Sequence, residues 1–162
     1  MIHEREFPSL DGAATVLADE LAESLLLGIR SRGEATLAVS GGRTPRLVFE
    51  RLRTLELDWS RVTITLTDER WVPPHHPEST EGLVRSHLLV GPPESAHFVP
   101  LFGGETSPER GVEACGARLQ GVRRPFDAVY LGMGADGHFA SLFPGDAAVE
   151  VHRRLAMGGE VI

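Results

Sequence analysis

Residues 35–52 read ATLAVSGGRTPRLVFERL. The run Ala35 to Val39 is apolar or β-branched throughout and predicts a short buried strand. Ser40-Gly41-Gly42-Arg43 then predicts a tight turn, and Leu47, Val48 and Leu52 recur at helical spacing beyond it. Thr44 is read as the helix N-cap, with Pro45 at the first helical position, where proline is favoured. A strand that feeds a capped helix through a glycine turn is the building unit of α/β folds. It also aims free backbone N–H groups and the positive end of the helix at one point, a place suited to phosphate or carboxylate. The plain alternative is a tight connection that binds nothing.

Two further strands end in the same manner. Val62 to Thr67 reads VTITLT and runs into Asp68-Glu69-Arg70-Trp71-Val72-Pro73-Pro74. Phe126 to Tyr130 reads FDAVY and runs into LGMGADGHFASLFPG, residues 131–145. The second of these sets Asp136 and His138 among glycines, which allow close backbone approach. Arg70 offers a forked, permanently charged contact for an anion, or only a surface ion pair of little energetic value. Around these ends, a helix read as capped by Asp11 and running to about Arg30 carries Leu17, Leu21 and Leu25 on one stripe with Val16 and Ala22. Further helices are expected from about Ser79 to Leu89 and from Ser107-Pro108 to about Gly121, with a short strand over residues 98–101. The alternation predicts one α/β domain, a Rossmann-like three-layer αβα sandwich with a mostly parallel sheet. The strand ends then line one edge, where such sheets bind ligands.

Composition narrows the chemistry. The chain has 162 residues, 41% of them hydrophobic and 24% charged, with a formal net charge of -7. That balance argues against nucleic-acid or anionic-membrane partners, which require basic patches. All 16 basic residues are arginine, so Schiff-base chemistry and a Walker-type phosphate loop are excluded. The single cysteine, Cys115, is read as a buried structural thiol and fits a reducing compartment. Met1 to Glu6 lack signal-peptide character and no apolar run reaches membrane-spanning length, so a cytoplasmic location is expected. His75, His76 and His87 have no partner at metal-ligand spacing and are read as solvated loop or helix-surface residues.

Taken together, Ser40 to Pro45, Asp68 to Pro73 and Leu131 to Gly145 resemble the 6-phosphogluconolactonase family in order and spacing. That family shows Ser-Gly-Gly-x-Thr-Pro, Asp-Glu-Arg before Val-Pro, and Leu-Gly-Met-Gly-x-Asp-Gly-His-x-Ala-Ser-Leu-Phe-Pro-Gly. Glucosamine-6-phosphate deaminases share the Asp-Gly-His core but follow it with Asn-Glu-Pro-Gly, so Ser141 to Gly145 favour the lactonase. The resemblance implies hydrolysis of 6-phospho-D-glucono-1,5-lactone to 6-phosphogluconate in the pentose phosphate pathway, with no metal or organic cofactor. His138 would be the general base and Asp136 would orient it. Gly41, Gly42, Thr44 and Arg70 would clamp the phosphate, with Ser40 and Asp68 completing the substrate-binding set. Backbone N–H groups from Gly134 to Gly137 would serve the oxyanion. The expected partner is a phosphorylated sugar lactone, with the chain a monomer or weak homodimer.

This sequence departs from the family at Phe139, where a threonine is usual, and at Ser79-Thr80, where a Ser-Asn pair is usual. The family also continues through another strand or two, a closing helix and a substrate-gripping basic residue, which this chain is expected to lack. Two other readings stay open: a sugar-phosphate isomerase or deaminase on the same scaffold, and a sugar-phosphate-binding module without catalysis.

Overall fold

The computed structural model describes residues 3–147 and 149. Its elements run α1 (Leu10–Arg32), β1 (Ala35–Val39), α2 (Arg43–Leu52), β2 (Val62–Leu66), α3 (Thr80–His87), β3 (His97–Val99), α4 (Pro108–Gln120) and β4 (Ala128–Tyr130), with single 3-10 turns before β2 and β3. The four strands form one sheet in the order β3-β2-β1-β4, and every pairing is parallel. The chain steps outward from β1 to β2 to β3 and then returns to the far side of β1. Right-handed crossovers therefore place α4 on the opposite face from α2 and α3. The return also makes a topological switch between β1 and β4, and loops leaving these two strands diverge to open a crevice.

β1 is buried along its whole length, as a central parallel strand must be. The α1 stripe of Ala14, Ala18, Leu21, Ala22 and Leu25 packs into the core beside it, together with Val48, Phe49 and Leu52 of α2. Phe49 meets Tyr130 edge to face, with ring centroids 6.3 Å apart. By contrast, α4 buries only Gly111, against the Trp71 ring, and leaves Val112 exposed. Cys115 on this helix is only partly buried, so the buried thiol expected from the sequence is not found.

The element ends differ from the sequence reading in three instructive places. Ser9, not Asp11, caps α1, its hydroxyl accepting from the Gly12 N–H at 3.1 Å. Asp11 instead lies in the first turn and pairs with Arg51. Gly42, not Thr44, caps α2: its φ of 118° carries the chain straight from the turn into the helix, a conformation glycine adopts without strain. Pro45 thus sits at the third helical position, where its missing N–H is still not needed.

β4 starts at Ala128 because Asp127 has another task. Its carboxylate accepts from the Thr36 N–H at 2.8 Å and the Thr36 hydroxyl at 3.2 Å, and it pairs with both Arg32 and Arg123. One nearly buried acid therefore ties the end of α1, the start of β1 and the start of β4 at the sheet edge opposite the crevice. A side chain at Gly28 would strike it. Asp127→Ala should cost about 3 kcal/mol of stability, since it strands the Thr36 N–H and removes the carboxylate that Arg32 and Arg123 share. Urea unfolding measures that loss.

Candidate active site

Above the switch lies a cleft of about 710 Å³. Each predicted site residue lines it except Asp136 and Gly137. From β1 come Ser40, Gly41, Gly42 and Thr44; from β2, Asp68 and Arg70; from β4, Gly134 and His138. The sequence-distant motifs meet because parallel strands point all their C-terminal ends the same way.

The first wall is the turn after β1. Ser40 is buried, its hydroxyl 2.7 Å from that of Thr67, which in turn donates to Asp68 Oδ1 at 3.1 Å. Gly41 is required sterically: a Cβ there would lie 2.7 Å from Oγ1 of Thr80, itself buried. No side chain caps the first turn of α2 and no acidic residue sits in it. That leaves a positive helix end facing the cleft. Arg43 also lines the cleft, and among the described residues nothing pairs with its guanidinium. Sequence reasoning missed Arg43, although it stands inside the glycine motif.

The second wall carries Arg70, more than half exposed, with Nη1 3.4 Å from Asp68 Oδ2. At that length and exposure the pair holds Arg70 weakly, so the guanidinium can turn to a ligand.

The third wall holds the imidazole. His138 Nδ1 lies 2.6 Å from Asp136 Oδ1. That hydrogen bond holds the Asp136 carboxyl below its ordinary value of 3.8. Because the shift is downward, the ionised form persists at and above that value and is lost only as pH falls below it. An ionised acceptor makes Nδ1 the protonated nitrogen and leaves the Nε2 lone pair free to take a proton. The ring stacks on Phe143, centroids 4.7 Å apart and planes 25° from parallel, a contact the sequence did not disclose.

Gly134 makes the pair possible. A Cβ at this position would collide with both the His138 ring and the Asp136 carboxylate. Its N–H, however, donates to the His138 carbonyl at 2.8 Å, and that of Gly137 donates to the Gly134 carbonyl at 2.9 Å. Within the Gly134 to Gly137 stretch expected to serve the oxyanion, these two N–H groups are therefore already engaged. The turn spends them on its own closure, with Gly137 at a φ of 88°. Phe139, the departure from the usual threonine, does not line the cleft.

His87 also departs from its sequence reading. It is half-buried on α3, lines the cleft, and places Nδ1 3.0 Å from Glu50 Oε1. Hydrogen bonds from Arg46 first, and then from His87, draw the Glu50 carboxyl below its ordinary range. Spacing could not show this, since the partners lie 37 residues apart. Among the described residues, no group of three or more His, Cys, Asp or Glu side chains is placed to hold a metal. No helix among them is long and apolar enough to cross a membrane.

Residues 8–160 match the family described as glucosamine-6-phosphate isomerases/6-phosphogluconolactonase. The chain belongs to this family. A 6-phosphogluconolactonase of Rhizobium meliloti is 44% identical over 149 residues, which are 92% of this chain and 63% of that protein. One from Pseudomonas aeruginosa is 44% identical over 83% of this chain and 57% of its own length. The crystal structure of a 6-phosphogluconolactonase from Shewanella baltica superposes with a TM-score of 0.86 at 41% identity, covering 90% of this chain and 62% of that one. The chain thus spans less than two thirds of these relatives. A monomeric glucosamine-6-phosphate deaminase, 19% identical with a TM-score of 0.69, shares the fold.

The seat of the imidazole can be checked directly. Gly134→Ala should displace the His138 ring, so that the Nδ1–H resonance seen by imidazole NMR in the parent chain is lost or strongly shifted. An unchanged resonance contradicts the steric role.

Proposed function

We propose that the cleft hydrolyses 6-phospho-D-glucono-1,5-lactone to 6-phosphogluconate. The observation that carries this reading is His138, its Nδ1 2.6 Å from Asp136 Oδ1, lining one cleft with the start of α2, which no side chain caps, and with Arg43 and Arg70. The cleft volume suits a phosphorylated six-carbon ligand. The names of the curated relatives point to the same substrate.

In this reading the phosphate sits against Gly41, Gly42 and Thr44, with Arg70 and Arg43 neutralising its charge. The lactone carbonyl is then presented to His138. Nε2 takes a proton from a water molecule as the water oxygen bonds to C1, and the carbonyl becomes an oxyanion. The C1–ring-oxygen bond breaks as the oxyanion collapses, and the ring oxygen leaves with the proton returned from Nε2. Asp136 holds the tautomer and offsets the imidazolium charge. A lactone is already electrophilic, so positioning and one proton shuttle suffice. A reducing, cytoplasmic setting with a small-molecule substrate fits the lone Cys115 and the net charge of -7.

His138→Ala should lower kcat by about 100-fold or more. Arg70→Ala and Arg43→Ala should mainly raise KM, by about 10-fold each. The assay follows acid release from the lactone against a no-enzyme blank, because the lactone also opens unaided. Glucosamine 6-phosphate is offered in parallel. Turnover of the amino sugar alone points to the deaminase reading, and binding of 6-phosphogluconate without accelerated hydrolysis points to a non-catalytic module. Undiminished turnover in folded His138→Ala removes the base role.

A further inference from the structure

Glu69 is the middle residue of the acidic motif after β2 and does not line the cleft, yet it is the most heavily engaged acid near it. Oε1 accepts from the N–H groups of Arg70 and Thr80, each at 2.7 Å. Oε2 accepts from the Ser79 hydroxyl at 3.1 Å and the Glu81 N–H at 2.8 Å. Among the described residues it has no cationic partner; its bonds all go to backbone N–H groups and one hydroxyl.

A carboxylate at the start of α3 matches the positive helix end and satisfies two of its orphan donors. Capping alone does not account for it: Ser79 serves the Gly82 N–H at 3.0 Å, and the Glu69 bond to the Arg70 N–H lies outside α3 altogether. What Glu69 adds is a tie across residues 70–78, fixing the backbone of Arg70 to Thr80. Thr80 in turn is the residue against which Gly41 is packed, 2.7 Å from where a Cβ would stand. Displacing the first turn of α3 therefore moves the surface on which the Gly41-Gly42 turn rests. Through that tie one carboxylate sets the two cleft walls that face an anion.

We propose that Glu69 is a positioning residue that registers Arg70 and, through Thr80, the Gly41-Gly42 turn on a bound phosphate group. The inference rests on the phosphate placement given above and adds the residue that holds that placement together. Exchanging one carboxylate oxygen for an amide turns an acceptor into a donor facing other donors, so Glu69→Gln breaks about half of the tie.

The test is calorimetric titration of the whole chain with 6-phosphogluconate, gluconate and inorganic phosphate. Glu69→Gln should weaken both phosphorylated probes about 10-fold or more while gluconate changes little. Ser9→Ala removes the cap of α1, remote from the cleft, and should lower Tm without moving any of the three affinities. Thr80→Ala, which deletes both the hydroxyl and the methyl packed against Gly41, should weaken the phosphate probes to a smaller degree and reports the coupling should Glu69→Gln not fold. A folded Glu69→Gln or Thr80→Ala that binds phosphate as the parent does overturns the proposal. So does an equal loss for all three probes, which would mark general collapse of the cleft. A parent chain that binds phosphate but not 6-phosphogluconate sinks the lactone reading while the phosphate data still decide Glu69. A parent that binds none of the three overturns both.

Discussion

The last rungs of the parallel ladder on either side of β1 govern the rest of this molecule. Ser40 N–H donates to the Tyr130 carbonyl at 3.1 Å, and Thr67 N–H donates to the Val39 carbonyl at 2.9 Å. Beyond these two bonds, among the described residues, no backbone rung joins the three strands, and each must turn away. The loop after β1 goes one way and the loop after β4 the other, so a crevice opens where the pairing stops. Register fixes its geometry: Val39 stands beside Leu66 on one side and Tyr130 on the other. The glycine turn, Asp68 and Gly132 consequently begin at one level.

Two of the three walls of the crevice solve a steric problem with glycine, and carboxylates set directions around it. Gly41 lets the first loop lie on Thr80, and Gly134 lets the imidazole and its acid partner lie over the third. Asp136 orients His138, Glu50 contacts His87, and Glu69 gathers the start of α3. Most of these pairs are partly open to solvent, where ion pairs contribute little to stability. In the proposed function their value lies in fixing direction before a ligand arrives, which lowers the ordering cost at the moment of binding. The fold carries its stabilising burden elsewhere, in the α1 and α2 stripes against β1 and in the Asp127 cluster at the opposite edge.

Much of this was legible in the sequence. Short β-branched runs followed by glycine turns and apolar helical stripes announce a parallel α/β sheet, and the strand ends follow from that. The predicted site residues on the three loops do meet in one cleft, apart from Asp136 and Gly137, which do not line it. What stayed hidden has a common cause: it depends on contacts between distant residues or on backbone angles. Thr44 resembles an N-cap, but the φ of Gly42 decided where α2 starts. Gly134 and Gly137 looked like free donors, but the turn closes on their N–H groups. His87 and Glu69 carry no local signal at all, since their partners are fixed only when α2, α3 and the loop after β2 are packed.

In the proposed function an anionic sugar ligand binds in the crevice at the β1/β4 switch. Amide NMR of an isotope-labelled chain titrated with 6-phosphogluconate tests it most directly. Saturable shifts are expected at Gly41 to Thr44, Arg70 and Gly134 to His138, with the Asp127 edge unmoved. Shifts confined to the Asp127 edge or to α4, with these loops silent at saturation, would contradict it.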